Sequence, residues 1–340
     1  MRFLAVTIRE LSKRCGLSIS TVSKALNGYT DISAATREIV TAAAKEIGYY
    51  PNAHARALKT KRSFNLGVLF VDDRQSGLTH SYFSNVLESF KKEAERNGYD
   101  ITFISHNMGE SMMTYLEHCH YREVDGVCIA CINFLDPEVG ALVNSELPIV
   151  TIDHLFNNRT CIQSNNLVGM KTLVEYVYGK GHRKIAYIHG AKSAVTDTRL
   201  GSFYRTVESL KLPIPEEYMG ECEYNDPSSV YTATLKLLAL KDRPSCILVS
   251  DDYAALGALE AISDAGLQGP KDISVAGYDG IPLMQMMKPR LTTIRQDTTR
   301  IGTEAAQRLV ALIETPKTTI PEITVIPCSL VTGETVGEIH

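Results

Sequence analysis

No stretch of this 340-residue chain approaches the roughly 18 consecutive apolar residues of a membrane-spanning helix, so none is expected. The opening "MRFLAV" is apolar but brief, the polar "TIRELSKR" follows at once, and no small-residue cleavage site comes after it. A signal peptide is therefore not expected either. No GxGxxG follows the first strand pattern, no P-loop is present, and no Ser/His/Asp order stands out. The enzyme classes that depend on those motifs lack support. The nine histidines are mostly isolated, and "EHCHYRE", with His118 and His120, reads better as a helix end than as a metal cluster. The eight cysteines are scattered, at positions 15, 119, 128, 131, 161, 222, 246 and 328. The closest two, Cys128 and Cys131, lie inside the apolar run "DGVCIACI", where a buried strand is a better reading than a redox or zinc site. Unpaired thiols suit a reducing compartment, so a cytoplasmic protein without metal or cofactor is expected.

What is present is an uneven charge. The net charge is −4, yet residues 1–62 hold eleven Lys/Arg against four Asp/Glu, and the remainder holds 24 against 35. A basic head on an acidic body points to a polyanion partner for the head alone. A hydrophobic content of 44% with 22% charged residues is that of a globular protein, and the length implies two or three folding units.

From Thr7 to Gly48 the pattern is of short helices. "TIRELSKRCG" carries Ile8 and Leu11 on a helical repeat and ends at Gly16. "LSISTVSKALNG" follows a tight turn, with Ser18 as N-cap and Gly28 as the stop. "SAATREIVTAAAKEIG" is a third helix, capped by Ser33 and Gly48, with an apolar stripe of Ile39, Val40, Ala43, Ala44 and Ile47. Two short helices joined through a glycine turn and braced by a third form a helix-turn-helix. "YYPNAHARALKTKRS" is broken by Pro51, basic and alanine-rich, and reads as a linker able to become a helix. After Phe64 apolar strands alternate with helices. The strands are "NLGVLFV", "YDITFIS", "DGVCIACI", "LPIVTID", "KIAYIHG", "SCILVS" and "DISVAGYD", and "YFSNVLESFKKEAERNG", "SVYTATLKLLALK" and "YAALGALEAISDAG" are helices among them. Such alternation predicts doubly wound parallel sheets, and about 275 residues of it predict two α/β subdomains with a cleft between them. Ligands in these folds bind at the carboxyl ends of the strands.

On the second helix Val22, Ala25 and Leu26 are packing positions, which leaves Ile19, Ser20, Thr21, Ser23 and Lys24 outside. Hydroxyls suit phosphate and base contacts, a lysine donates to guanine O6 and N7, and an isoleucine offers apolar contact to a thymine methyl. The residues from "TIRELSKRCG" to "ARALKT" resemble the DNA-binding head of the LacI/GalR family of bacterial transcription regulators. "STVSKALNG" followed by the spaced pattern S..TR..V..AA.E.GY.PN..AR.L carries the likeness. "GHRKIAYIHG", "DYAALGAL", "DISVAGYDGIP" and "LTTIRQD" extend it across the regulatory portion, from about residue 6 onward.

The resemblance implies a small all-α helix-turn-helix head (6–50), a hinge helix or linker (51–63) and an α/β periplasmic-binding-protein-like body (64–340). The body's two doubly wound subdomains would be split near 160, with further crossings near 292 and 320. It implies a homodimer on a pseudo-palindromic operator, with Ile19, Ser20 and Lys24 at base-reading positions. Many members have arginine where this chain has Lys24. Thr7, Ser18, Thr21, Ser23, Asn27, Tyr49, Asn52, Ala55 and Lys59 complete the expected DNA-contacting set. Leu58 matches the leucine that wedges between central base pairs in the minor groove, as a helix that forms on DNA.

Tyr82, Asp153, Arg199, Asp251 and Asp279 stand where strands end or helices begin. Taken singly, each acid reads as an N-cap or a solvated group, and the resemblance gathers the five into an effector site. An aromatic ring, several carboxylates and an arginine suit a small polyhydroxylated ligand. Asp251-Asp252 replaces the more usual Asn-Asp and is expected to add negative charge to the cleft, which favours a neutral sugar over an anion. Ser202 in "RLGSF" stands where the family has glycine. The chain ends without leucine heptads, so a dimer is expected rather than a tetramer. The rival classes are a solute-binding protein without a DNA role, which the basic head opposes, and an enzyme.

Overall fold

The computed structural model describes residues 6–50, 62–71, 76–108 and 111–339. The expected hinge contacts Asn52, Ala55, Leu58 and Lys59 lie outside the described residues. The chain divides into a head, Met1–Phe64, and a body, Asn65–His340.

Three helices build the head: α1 (Ile8–Cys15), α2 (Ile19–Leu26) and α3 (Ala34–Ile47). Local chemistry starts and stops each one. Thr7 and Glu10 form a reciprocal capping box on α1, and Gly16 closes it at φ 65°, a left-handed conformation that costs a residue with a Cβ. Ser18 caps α2 through a 3.1 Å bond from Thr21 N, and Ser33 caps α3 in the same way. The α2 helix ends one residue before the expected glycine: Asn27 is its C-cap, and Gly28 takes the turn at φ 71°. Leu11, Val22, Ala25, Val40 and Ala44 form the buried core, with Ile8, Leu17, Leu26, Ile32, Ile47 and Tyr49 packed around it. Ile39 departs from expectation. It is 57% exposed, because the inward face of α3 runs through Val40, Ala44 and Ile47 and turns position 39 toward solvent.

In the body, β1 (Asn65–Phe70), α4 (Ser81–Arg96) and β2 (Asp100–Ile104) are followed by a small ribbon, β3 (Asn107–Met108) and β4 (Ser111–Met112). Then come α5 (Tyr115–Tyr121), β5 (Gly126–Cys131), α6 (Pro137–Val143), β6 (Ile149–Ile152) and β7 (Thr160–Ser164). The second half runs α7 (Asn166–Gly179), β8 (Ile185–Gly190), α8 (Ala194–Ser209), β9 (Met219–Cys222), α9 (Pro227–Leu238) and β10 (Cys246–Val249). It continues with α10 (Ala255–Asp264), β11 (Ser274–Asp279), α11 (Pro282–Met286) and β12 (Thr292–Arg295). The chain closes with α12 (Thr298–Glu314), β13 (Ile323–Ile326) and β14 (Ser329–Val331).

Two six-stranded sheets result, ordered β13-β7-β6-β5-β1-β2 and β14-β12-β11-β10-β8-β9. The first is parallel throughout. The second carries one antiparallel edge strand, β14, against β12. Both faces of the second sheet are covered. Ala186, Ile188, Ile247 and Val249 point into one core, while Ile185, Tyr187, Cys246 and Leu248 point into the other, the period-two signature of a strand buried on both sides. "DGVCIACI" is the strand β5, and Cys128 is buried within it. The chain crosses from the first sheet to the second after β7, returns through α12, and leaves again between β13 and β14. The α12 helix packs closely on α4: a Cβ added at Gly302 would lie 2.2 Å from the carbonyl oxygen of Val86, so only glycine fits this crossing.

Candidate DNA-reading and effector sites

On α2 the residues expected to read bases share one face. Ile19, Ser20, Ser23, Lys24 and Asn27 recur at three- and four-residue steps, opposite the buried Val22 and Ala25. Ile19 is 44% exposed, and Ser20 is exposed beside it. Some of the expected contacts already have partners. The hydroxyls of Ser18 and Thr21 lie 2.8 Å apart, and Asn27 Nδ2 donates to the carbonyl of Ser23 at 2.7 Å. Lys24 Nζ lies 2.5 Å from Asp31 Oδ2, a pairing that sequence reasoning missed. Thr7 spends its hydroxyl on the capping box, and Tyr49 packs half-buried against the head core, which raises its phenol pKa by desolvation.

The body site lies where the carboxyl ends of both sheets meet. A cavity there is lined by His80, Ser81 and Tyr82 before and on α4, and by Tyr224, Asn225, Asp251, Tyr253, Asp279 and Ile281 from the second subdomain. Three of the five expected effector residues line it. The other two stand directly behind. Asp153 Oδ2 is 3.5 Å from the Tyr82 hydroxyl, and Arg199 Nη2 is 3.9 Å from Asp279 Oδ1.

The two sheets hold these acids in matching places. Asp153 follows β6 and Asp279 ends β11, and each strand is fourth in its sheet counted from the β2 or β9 edge. Both residues have positive φ, 59° and 111°, conformations that non-glycine residues rarely adopt and that cluster at functional sites. Burial pushes the Asp153 carboxyl up to about 6 and that of Asp279 up to about 7, against the pull of Arg199. The Tyr82 phenol is also raised well above its ordinary value, by burial first and then by the two carboxylates.

Arg199 is 3% exposed and firmly held. Its Nε donates to Asn166 Oδ1 at 2.8 Å, its Nη1 donates to the Ser250 carbonyl at 2.9 Å, and its guanidinium lies 3.5 Å above the Tyr278 ring. Asp251 also serves the fold, accepting from Ala254 N, Asn225 N and the Ser250 hydroxyl. Ser202 uses the hydroxyl that glycine lacks to donate to the Leu167 carbonyl at 2.6 Å, tying α8 to the start of α7.

Of the Asp251-Asp252 pair, Asp251, which takes the place of the usual asparagine, lines the cavity, and Asp252, which matches the usual aspartate, does not. The Asp252 carboxylate is fully buried, accepting from the Thr293 hydroxyl at 2.5 Å and Ile281 N at 2.8 Å, and burial holds its pKa well above the usual range. Tyr224 and Asn225, in the loop after β9, were not expected at the site, and neither was Gln296, whose Nε2 donates to Asp279 at 2.7 Å. The one available signal for Gln296 was the polar "RQD" closing an apolar strand. His118 lies on α5, hydrogen-bonded to Ser105, and no three-residue metal-binding group occurs among the described residues.

Family models match this arrangement in two parts: the lacI family of bacterial regulatory proteins at residues 7–52, and a periplasmic binding protein-like domain at residues 174–336. The HTH-type transcriptional repressor PurR of Edwardsiella ictaluri is 31% identical to this chain, over 94% of each. The chain belongs to the lacI family of bacterial regulatory proteins. PurR of Pasteurella multocida is 30% identical over 89% of this chain and 90% of its own. Among solved structures, the Lac repressor dimer bound to operator and the anti-inducer ONPF superposes with a TM-score of 0.81 at 27% identity, over 98% of this chain and 99% of that one. The CelR–cellobiose complex, at 23% identity and a TM-score of 0.72, shares the fold, over 97% of this chain and 99% of its own. As a lacI-family member the protein is a DNA-binding transcription regulator under small-molecule control, not an enzyme. No helix among the described residues is long and apolar enough to cross a membrane.

Proposed function

We propose that this regulator is a repressor that binds a pseudo-palindromic operator as a homodimer, through α2, and that a neutral sugar in the body cleft sets its affinity. The observation that carries the effector class is the convergence of Asp153 and Asp279, from opposite subdomains, on Tyr82. Carboxylates accept from paired hydroxyls and the tyrosine ring covers an apolar face. An anion would meet these acids in a poorly hydrated space, where the buried Arg199 guanidinium already donates to Asn166 and Ser250. Asp153, Asp251 and Asp279 are the acids an anion would meet, and the fully buried Asp252 takes no part.

A ligand bridging the two subdomains biases their relative rotation, and the coupling expected of such an effector is about 1–3 kcal/mol. Ionised carboxylates accept from hydroxyls through both oxygens and more strongly than protonated ones. Sugar affinity should therefore rise with pH through the values of about 6 and about 7 at which Asp153 and Asp279 titrate. Isothermal titration against matched neutral and acidic sugars at pH 6 and pH 8 tests the assignment, and binding of acidic sugars alone would overturn it. Removal of residues 1–62 should abolish DNA binding and leave the titration signal intact.

A further inference from the structure

Between Leu17 and Arg37 the chain carries one acidic residue, Asp31, and it is placed against the one exposed cation of α2. The loop that carries it is tied down. Tyr29 N donates to the Lys24 carbonyl at 3.1 Å and Ile32 N to the Tyr29 carbonyl at 3.3 Å. Arg37 on α3 donates to the Ile32 carbonyl at 2.9 Å and reaches that of Tyr29 at 3.4 Å. Arg37 is thereby turned toward the loop, and Lys24 remains as the cation this face offers to DNA. The lysine ammonium is not free in the unbound head, since the Asp31 carboxylate, 2.5 Å away, occupies the place of an acceptor.

We propose that Asp31 is a specificity-determining residue: an internal acceptor that withholds Lys24 from DNA phosphates and yields it to guanine. The proposal rests on α2 being the DNA-reading helix. A phosphate oxygen offers Lys24 one acceptor, much as Asp31 does, and its approach also brings a second negative charge beside the carboxylate. Guanine offers O6 and N7 together on a base edge that carries no formal charge. Non-specific binding, which is almost wholly electrostatic, should then gain little from Lys24, while a site with guanine in register gains its full contact.

The test uses the full chain, a mixed-sequence duplex as the non-specific probe, and a duplex selected from a random library by the parent protein. Asp31→Asn keeps the shape and removes the charge. It should bind the mixed duplex more tightly, with a salt dependence steeper by about 0.9 in log–log slope per head, so its advantage shrinks about 3.5-fold for each head engaged, about 12-fold for a dimer, between about 50 and about 200 mM salt. Its preference for the selected duplex over the mixed one should fall. Lys24→Ala should cancel the gain in the Asp31→Asn background while hardly changing non-specific binding of the parent, as expected of a coupled pair. An unchanged salt slope overturns the proposal. So does a gain that persists without Lys24, because Asp31 would then only repel phosphates. If Lys24→Ala binds the selected duplex as the parent does, Lys24 reads no guanine there and the proposal fails; if Ile19→Ala and Ser20→Ala are silent as well, the reading of α2 itself is wrong.

Discussion

Two cation–carboxylate pairs, one in the head and one in the body, differ in a way that distance alone would misrank. Lys24 and Asp31 approach to 2.5 Å with side chains 40% and 53% exposed. Arg199 and Asp279 stay 3.9 Å apart with side chains 3% and 13% exposed. The closer pair sits in water, where screening and side-chain entropy cancel most of the attraction. The wider pair sits in a medium where an unpartnered charge is expensive, so each group depends on the other. The head pair is therefore exchangeable, opening only for an acceptor that outcompetes Asp31, and charge in the body is committed to the fold and its cleft.

Removal of Arg199 is expected to have the largest effect. Arg199→Met should cost about 3–5 kcal/mol in urea unfolding at pH 8, because Asp279 is left buried and uncompensated. A loss no larger than that of a surface substitution would mean that water reaches the pair.

Asp279→Asn comes next and is read from its pH dependence. The folded carboxyl titrates at about 7, above its ordinary value of 3.8, so the folded state binds the proton more tightly than the unfolded chain does. The stability this contributes is full below the unfolded value and is lost as pH rises through about 7. The asparagine variant has no such loss, so its stability relative to the parent should climb between about pH 4 and 7, by on the order of a few kcal/mol. Parallel stability profiles for the two proteins would show that Asp279 is hydrated in solution.

Ser18→Ala should loosen α2 by about 1 kcal/mol through loss of the N-cap, seen as faster amide exchange across Ile19–Lys24. The smallest effect is expected at the head pair. Lys24→Met should leave the thermal midpoint of the full chain unmoved while weakening binding to its selected duplex. A clear drop in midpoint would place the pair among the residues that hold the head together.

Much of this protein is legible in one dimension. Gly16, Ser18, Ser33 and Gly48 mark the head helices because caps act on their immediate neighbours, whereas the Thr7 capping box went unread. Strands such as "KIAYIHG" and "SCILVS" declare themselves because burial on both faces demands continuous apolar runs. The five expected cleft residues converge, three on the cavity wall and two behind it. Ile39 misled because the stripe around it was apolar on both sides of the true face. Tyr224 and Asn225 were silent because a loop residue carries no periodic signal.

The amino-acid order determined where elements begin and end and which faces of them are apolar, since those depend on contacts a few residues apart. What each charge does depends on which groups the fold brings against it. Tyr82 meets Asp153 across 71 residues of chain, and Arg199 meets Asn166 across 33. Asp252 and its neighbour Asp251 end up on opposite sides of a wall, one accepting from Thr293 out of reach of solvent and the other lining the cavity. Desolvation and long-range pairing set the behaviour of an ionisable group, and both belong to the folded surroundings rather than to the residue.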